Sequence, residues 1–449
     1  MTYSPEGFDP LTFFDVMPRF RDGSDTPRAY LERCLAVIAD REPVVKAWVV
    51  LNPSGAREAA DASTERYRRG RSISSIDGMP IGIKDLIETK DMPTGHGCAA
   101  FAGNHTRRDS AIVRALRDAG AVILGKTVTT EMGGAFPGPT TNPFDPGRTP
   151  GGSSSGSAAV IGACMVPAAI GTQVGGSLIR PASYCGNCGL KPTMGALHRG
   201  ERQGYSQSHV GIHAGALTDM WRVAMEIARR AGGDPGQPGL FGAPELSPAL
   251  QPARLIVMET AGWAGLDAET REGFDRILAV LGDAGVEVLH STDDPLIEAF
   301  ERGIVEAKAI TTDICDWENR WSFENLVEQY PGKYSDTLYG RLQAGRKLSL
   351  EDYRLRLLQR EEAKNRLSLA DALISLGSPG PAPRGLGSTG DSVFNSPTSI
   401  LGAPAVTVPM LAIEGMPVGI QIVGQRHADA RTAGIARWLL ETMKPVSVD

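Results

Sequence analysis

Residues 149–193 read TPGGSSSGSAAVIGACMVPAAIGTQVGGSLIRPASYCGNCGLKPT, and the rest of the chain is understood outward from them. Two glycine-serine turns, 151–157 and 171–177, flank an apolar run of Ala, Val, Ile, Cys and Met. Glycine lets a backbone turn tightly and bring its N–H groups close to a ligand. The serines place hydroxyls on the same turns. Acyl transfer needs that combination, a nucleophile beside donors aimed at a developing oxyanion. The stretch holds no histidine to serve as base. A Ser–Lys arrangement is the alternative, and Lys84 in GMPIGIKD is its candidate lysine.

Composition bounds the class. The 449 residues are 41% hydrophobic and 22% charged, which describes an ordinary soluble globular chain with a large core. A net charge of −6, without acidic or basic runs, argues against a nucleic-acid-binding surface. The N-terminus has no basic region and no long apolar run, so no signal peptide is expected. The longest apolar stretch, 158–171, is too short to span a bilayer and is broken by Pro167. Six irregularly spaced cysteines do not make a disulfide framework. The expectation is a reduced, cytoplasmic protein that engages no membrane.

Taken in order, residues 1–25 are rich in Pro, Gly and Asp and read as a loop. A helix over 26–41 follows, with apolar Tyr30, Leu31, Cys34, Leu35 and Ile38 at helical spacing. Strands are expected at 47–51, 80–84, 121–124, 254–258, 286–289, 405–411 and 417–423, the last two joined by a turn at Glu414 and Gly415. Helices are expected at 56–71, 110–119, 217–231, 268–281 and 428–443. The apolar run 157–169 reads as a buried helix between the two serine turns. Long charged helices are expected at 294–320 and 350–376. Residues 235–250 read as a peripheral loop, and 376–391 as a Gly/Ser/Pro-rich loop near a pocket or a lid. Strands alternating with helices predict an α/β protein with helices on both faces of one sheet.

Three other signals carry less. Gly120 to Thr127 matches the phosphate-binding GxxxxGK[ST] pattern letter for letter, but a P-loop needs a strand before its first glycine. Here a helix precedes Gly120 and the intervening AVIL is itself the strand, which excludes a nucleotide site. Cys185 and Cys188 form a lone CxxC with no second pair, so packing is the expected role. His209 and His213 are four apart, but the glycine between them makes a helical metal face improbable; His209 is kept as a pocket candidate. No metal site and no cofactor are expected.

The motifs GMPIGIKDLI, GGSSSGSAA and GTQVGGSLIRPASYCG resemble the amidase signature family. GAVILGKTVTTEM, TNPFDPGRTPGGSS, CGLKPT and GAPAVTVPM…GMPVGIQIVGQRHAD follow in family order, so the likeness covers about residues 45–440. It implies a single domain over 1–449 built on a large, mixed, twisted sheet covered by helices on both faces. The catalytic core would occupy about 45–232 and 366–440, with a variable helical periphery at about 235–365. It further implies a catalytic triad of Lys84, Ser153 and Ser177, with spacings of 69 and 24 residues that fit the family. Gly152–Ser153 would be the family's cis peptide bond. The backbone N–H groups of Val174, Gly175, Gly176 and Ser177 would form the oxyanion hole.

Two departures separate the chain from the commonest pattern of that family. Gln173 stands where most members have Asp, and Arg180 follows the nucleophile by three residues rather than two. Both resemble the malonamidase-like branch, in which this Arg holds the acid end of a short substrate. The other reading of Arg180 is a structural brace paired with a carboxylate such as Glu131. Met132, Gly133, Ser154, Gln173 and His209 complete the candidate substrate contacts. The resemblance implies hydrolysis of a small carboxylic amide by a protein that binds no nucleic acid, and leaves a homodimer open. Within the family, the A-type subunit of a glutamine-dependent tRNA amidotransferase and a hydrolase of urea-, biuret- or hydrazide-type substrates are the alternatives. A non-catalytic binding protein is the alternative outside it.

Overall fold

The short apolar runs of this chain become strands of one sheet in the structure, a computed structural model that describes residues 2–134, 136–200, 205–364 and 370–448. The strands are β1 (Trp48–Leu51), β2 (Pro80–Lys84), β3 (Val122–Thr127), β4 (Ala168–Gln173), β5 (Cys188–Lys191), β6 (His209–Ala214), β7 (Arg254–Val257), β8 (Glu287–Leu289), β9 (Ala372–Leu376), β10 (Ala405–Ile413), β11 (Met416–Val423) and β12 (Val446–Val448). They form a twelve-stranded sheet in the order β1-β3-β2-β4-β6-β5-β10-β11-β9-β7-β8, with β12 paired to β10. β2 runs parallel to both β3 and β4, whereas β4, β6, β5 and β10 pair antiparallel in turn, so the sheet is mixed.

Alternation along the strands sorts the core into two faces. Ile81 and Ile83 of β2, Ile123 of β3, and Ala168 and Ile170 of β4 join the largest core with Val113, Leu116, Trp221 and Ile435. Val122, Leu124 and Ala169 turn the other way, onto Ala159, Val160 and Ile161 of the helix Ser155–Gly162. Gly82 and Lys84 share that second face because they alternate with Ile81 and Ile83. The last residue of β2 is thereby aimed at the start of the helix Ser155–Gly162. That helix starts so close to the sheet that a Cβ on Gly156 would stand 2.3 Å from the Ala47 carbonyl oxygen and 2.4 Å from the Val128 nitrogen.

Several elements differ from the sequence reading. The expected helix over 157–169 is two elements, the helix Ser155–Gly162 and then β4. Cys164 at φ 55° and Pro167 break the run, and apolar periodicity alone does not separate a short buried helix from a buried strand. The expected helix over 294–320 is likewise two, Pro295–Ile304 and Ala307–Gln329. Of the expected helix over 350–376, Leu350–Lys364 is helical and 372–376 is β9; residues 365–369 lie outside the described residues. Residues 1–25, read as a loop, contain the short helix Met17–Asp22. By contrast, the strands expected at 254–258 and 286–289 are present as β7 and β8, which extend the sheet beside β9. Among the described residues, no helix is long and apolar enough to cross a membrane.

Candidate active site

Lys84 sits at the end of β2 with no exposed surface. Its Nζ lies within hydrogen-bond reach of Ser153 Oγ at 2.7 Å, Thr172 Oγ1 at 2.8 Å and Ser154 Oγ at 3.0 Å. Three hydroxyls therefore surround the amine, and it makes no ion pair with a carboxylate among the described residues. Removing an ammonium from water without a counter-charge disfavours its protonated form. Burial accordingly holds the Lys84 pKa well below the ordinary lysine value.

Serine hydroxyls fasten the start of the helix Ser155–Gly162 to the sheet. Ser154 Oγ donates to the Thr172 carbonyl at 3.1 Å and accepts the Thr172 N–H at 3.2 Å. Ser157 Oγ donates to the Ile170 carbonyl at 2.9 Å and lies 2.7 Å from Thr127 Oγ1. The Gly152–Ser153 peptide is cis, and the Ser154 N–H donates to the Ser177 carbonyl at 3.1 Å. That bond brings the second serine turn against the first. Ser177 is half-buried, in contrast to the closed environment of Lys84, and its hydroxyl makes no hydrogen bond among the described residues.

The segment 174–177 has an asymmetric hydrogen-bond pattern. All four carbonyls are occupied: Val174 by Gln207 Nε2 at 3.1 Å, Gly175 by Ser399 Oγ at 2.7 Å, Gly176 by the Arg180 N–H at 3.1 Å, and Ser177 as above. None of the four N–H groups is donated to another described group. A run of unspent N–H donors beside a serine hydroxyl is chemically suited to a developing oxyanion.

The other candidates take varied places. Gln173 is fully buried; its Oε1 accepts the Leu178 and Ile179 N–H groups at 2.9 and 3.0 Å, and its Nε2 donates to Ser399 Oγ at 3.1 Å. Ser154 belongs to the Lys84 cluster. Met132 is half-buried with φ 50°, and a Cβ on the adjacent Gly133 would lie 3.8 Å from Ser153 Oγ, so that turn flanks Ser153. His209 lies within β6, buried, with Nδ1 3.3 Å from the Gln173 carbonyl; burial puts its pKa well below the usual histidine value.

Arg180 is buried in the short helix Ile179–Tyr184. Its Nη2 donates to the Gly152 carbonyl at 2.8 Å and to Thr389 Oγ1 at 3.1 Å, while its Nε has no partner. The expected brace through Glu131 is not formed, because Glu131 accepts the backbone N–H and the hydroxyl of Ser335. Arg180 instead braces a backbone carbonyl and has no ion-pair partner among the described residues. Burial pulls its pKa below the ordinary arginine value.

Two sequence signals resolve into packing. Lys126 of the P-loop-like pattern lies inside β3 and pairs with Asp85 at 2.9 Å, both buried. Cys185 and Cys188 are buried free thiols. Among the described residues, no group of three or more His, Cys, Asp and Glu is placed to hold a metal ion. Sequence reasoning missed Thr172, Gln207, Thr389 and Ser399. Thr172 was readable in principle, as the hydroxyl residue between Gly171 and Gln173 of the second turn.

The amidase family model matches residues 29–432. The chain is 32% identical to the A-type subunit of glutamyl-tRNA(Gln) amidotransferase from Chloroflexus aurantiacus, over 94% of each chain. It is 31% identical to the corresponding protein of Symbiobacterium thermophilum, over 90% of this chain and 91% of that one. A solved amidase structure superposes with a TM-score of 0.83 at 28% identity, covering 96% of this chain and 99% of the other. A structure solved in work on the origins of an s-triazine catabolic enzyme gives the same TM-score, 0.83, at 25% identity over 97% and 99%.

Proposed function

The chain belongs to the amidase signature family, and from that premise we propose that it hydrolyses the C–N bond of a small carboxylic amide through a Ser177 acyl-enzyme. One observation carries the reading: a fully buried lysine without a carboxylate partner, 2.7 Å from Ser153 Oγ. An amine kept neutral at ordinary pH can take a proton, which an ammonium cannot.

In this mechanism Ser177 Oγ attacks the amide carbonyl, and its proton passes through Ser153 to Lys84. The carbonyl oxygen becomes an oxyanion held by the N–H groups of residues 174–177. Collapse breaks the C–N bond, with the leaving nitrogen protonated back along the same relay, and ammonia or an amine departs. Water then attacks the acyl-enzyme, delivers its proton to the relay, and releases the acid and Ser177. The unpaired guanidinium of Arg180 supports a substrate carrying a carboxylate, since a buried cation lacking a counter-ion is costly and its planar fork suits that anion. We place the activity in the cytoplasm.

A second reading is favoured by the 32% identity to the amidotransferase protein. In it the chain is an A-type subunit that works with partner proteins on glutamyl-tRNA(Gln). Gln173, and Arg180 three residues after the nucleophile, support the free-standing enzyme. The deciding experiment is ammonia release by the purified chain alone from short amides with and without a carboxylate, glutamine and ureas. Turnover alone is expected. Release that requires partner proteins would install the second reading, and reactivity confined to ureas would move the substrate class.

A further inference from the structure

The free N–H groups beside Ser177 are held in place from behind, and the geometry points to Ser399 and Gln173 as the positioning residues that hold them. This inference rests on the proposed role of Ser177 and its neighbouring N–H groups. A peptide unit is planar and trans, so its C=O and N–H point in opposite directions. Fixing the carbonyl of Val174, Gly175 or Gly176 therefore fixes the N–H of Gly175, Gly176 or Ser177 respectively. The three pins are Gln207 Nε2 at 3.1 Å, Ser399 Oγ at 2.7 Å and the Arg180 N–H at 3.1 Å.

The middle pin depends on which amide stands at position 173. A serine hydroxyl has one proton to give, and Ser399 gives it to the Gly175 carbonyl. It can do so because the neighbour it meets, Gln173 Nε2 at 3.1 Å, is a donor and not a competing acceptor. The far end of the same side chain takes the Leu178 and Ile179 N–H groups. One glutamine thus ties the chain just after the nucleophile to the pin just before it. A carboxylate here would keep the acceptor end but would draw the Ser399 proton to itself, leaving the Gly175 carbonyl unpinned. The glutamine, first read as a substrate contact, is buried and committed at both ends of its amide, and acts on the reaction through Ser399.

The test compares Gln173→Glu, Ser399→Ala and their double variant with the wild type on the best small amide. The expected result is a fall in kcat of about tenfold in each single variant, a smaller effect than the roughly hundredfold or more of deleting a donor outright. KM should stay within about twofold, and the double variant should be no worse than the weaker single one. Ser399→Ala leaves the Gly175 carbonyl and Gln173 Nε2 without a partner, a modest loss for a chain of this size, so it should remain folded by circular dichroism even if the buried glutamate unsettles the fold. Unchanged kcat in folded Ser399→Ala overturns the inference, as does a loss confined to KM, which would make these residues substrate contacts. Strictly multiplicative losses in the double variant overturn the chain from Gln173 through Ser399. A wild type that releases no product from any amide overturns the underlying function, and the clamp with it; an active wild type with unaffected variants overturns the clamp alone.

Discussion

Replacing Lys84 by methionine should abolish activity and yet make the protein progressively more stable than the wild type as the pH falls. In the unfolded chain a lysine titrates near 10.4, whereas burial holds the folded Lys84 well below the ordinary value. Between those two values the unfolded state binds one proton more than the folded state. Stability of the wild type therefore rises with pH across that window, by up to about 1.4 kcal/mol per pH unit for one group. The methionine variant lacks this dependence. It also loses the three hydrogen bonds to Ser153, Ser154 and Thr172, roughly 0.5–1.5 kcal/mol each, but that offset does not vary with pH. Other buried groups that titrate abnormally, such as Lys191 with its pKa brought down to about 7, occur in both proteins and cancel in the difference. Chemical denaturation of both proteins from about pH 6 to 10 reads out the difference directly. It should grow as pH falls and level off at the folded pKa of Lys84, where the acidic limb of wild-type kcat/KM should also lie. A difference that stays flat with pH would show that Lys84 keeps its proton when folded, and the neutral-base mechanism would fail. A plateau far from the kinetic limb would assign that limb to another group.

Other outcomes follow from the same geometry. Ser177→Ala should remove turnover while leaving the circular dichroism spectrum and melting temperature unchanged; appreciable residual amidase activity would move the nucleophile elsewhere. Arg180→Lys should erode the preference for a carboxylate-bearing amide by about ten- to a hundredfold, the 1.5–3 kcal/mol of a charged hydrogen bond. An equal loss on neutral amides would reduce Arg180 to its hold on the Gly152 carbonyl. Lys126→Met should cost about 3–5 kcal/mol of stability by leaving Asp85 buried and unpaired, and Asp85→Asn in the same chain should recover much of it. Asp219 accepts the Phe13 N–H at 2.7 Å, and burial raises its pKa to about 7. Its folded state keeps a proton that the unfolded chain has lost, so stability falls as pH rises from about 4 to 7, and Asp219→Asn should flatten that decline in urea titrations.

Much of this site was legible in the sequence because its chemistry is local. Lys84, Ser153 and Ser177 each sit beside glycines in a short pattern, and β2 was readable to the residue from its apolar run. The helix and strand within 155–173 were not separable, because both are short, apolar and fully buried, and only Cys164 and Pro167 mark the break. Ser399, Gln207 and Thr389 left no signal at all. Each is a single polar residue in an unremarkable setting, brought to the site by pairings that span from about thirty to more than two hundred positions. Arg180 was half legible: its position announced a role, but its partners, a backbone carbonyl and a threonine, could come only from the packing.

The order of strands has a consequence for how the protein is made. β5 lies beside β10, with Lys191 opposite Ala405, and Ser399 and Thr389 reach the site from just before β10. A chain emerging from the ribosome thus carries Lys84, Ser153 and Ser177 long before the segment that pins Gly175 has been synthesised. Contacts of such separation form late, since loop closure is costly until they are made. The growing polypeptide would hold its hydroxyls and its amine with the Gly176 N–H still unpinned, and would work on amides poorly. Full hydrolytic rate then reports the docking of the segment from Thr389 onward, and in refolding it should lag the appearance of helical signal.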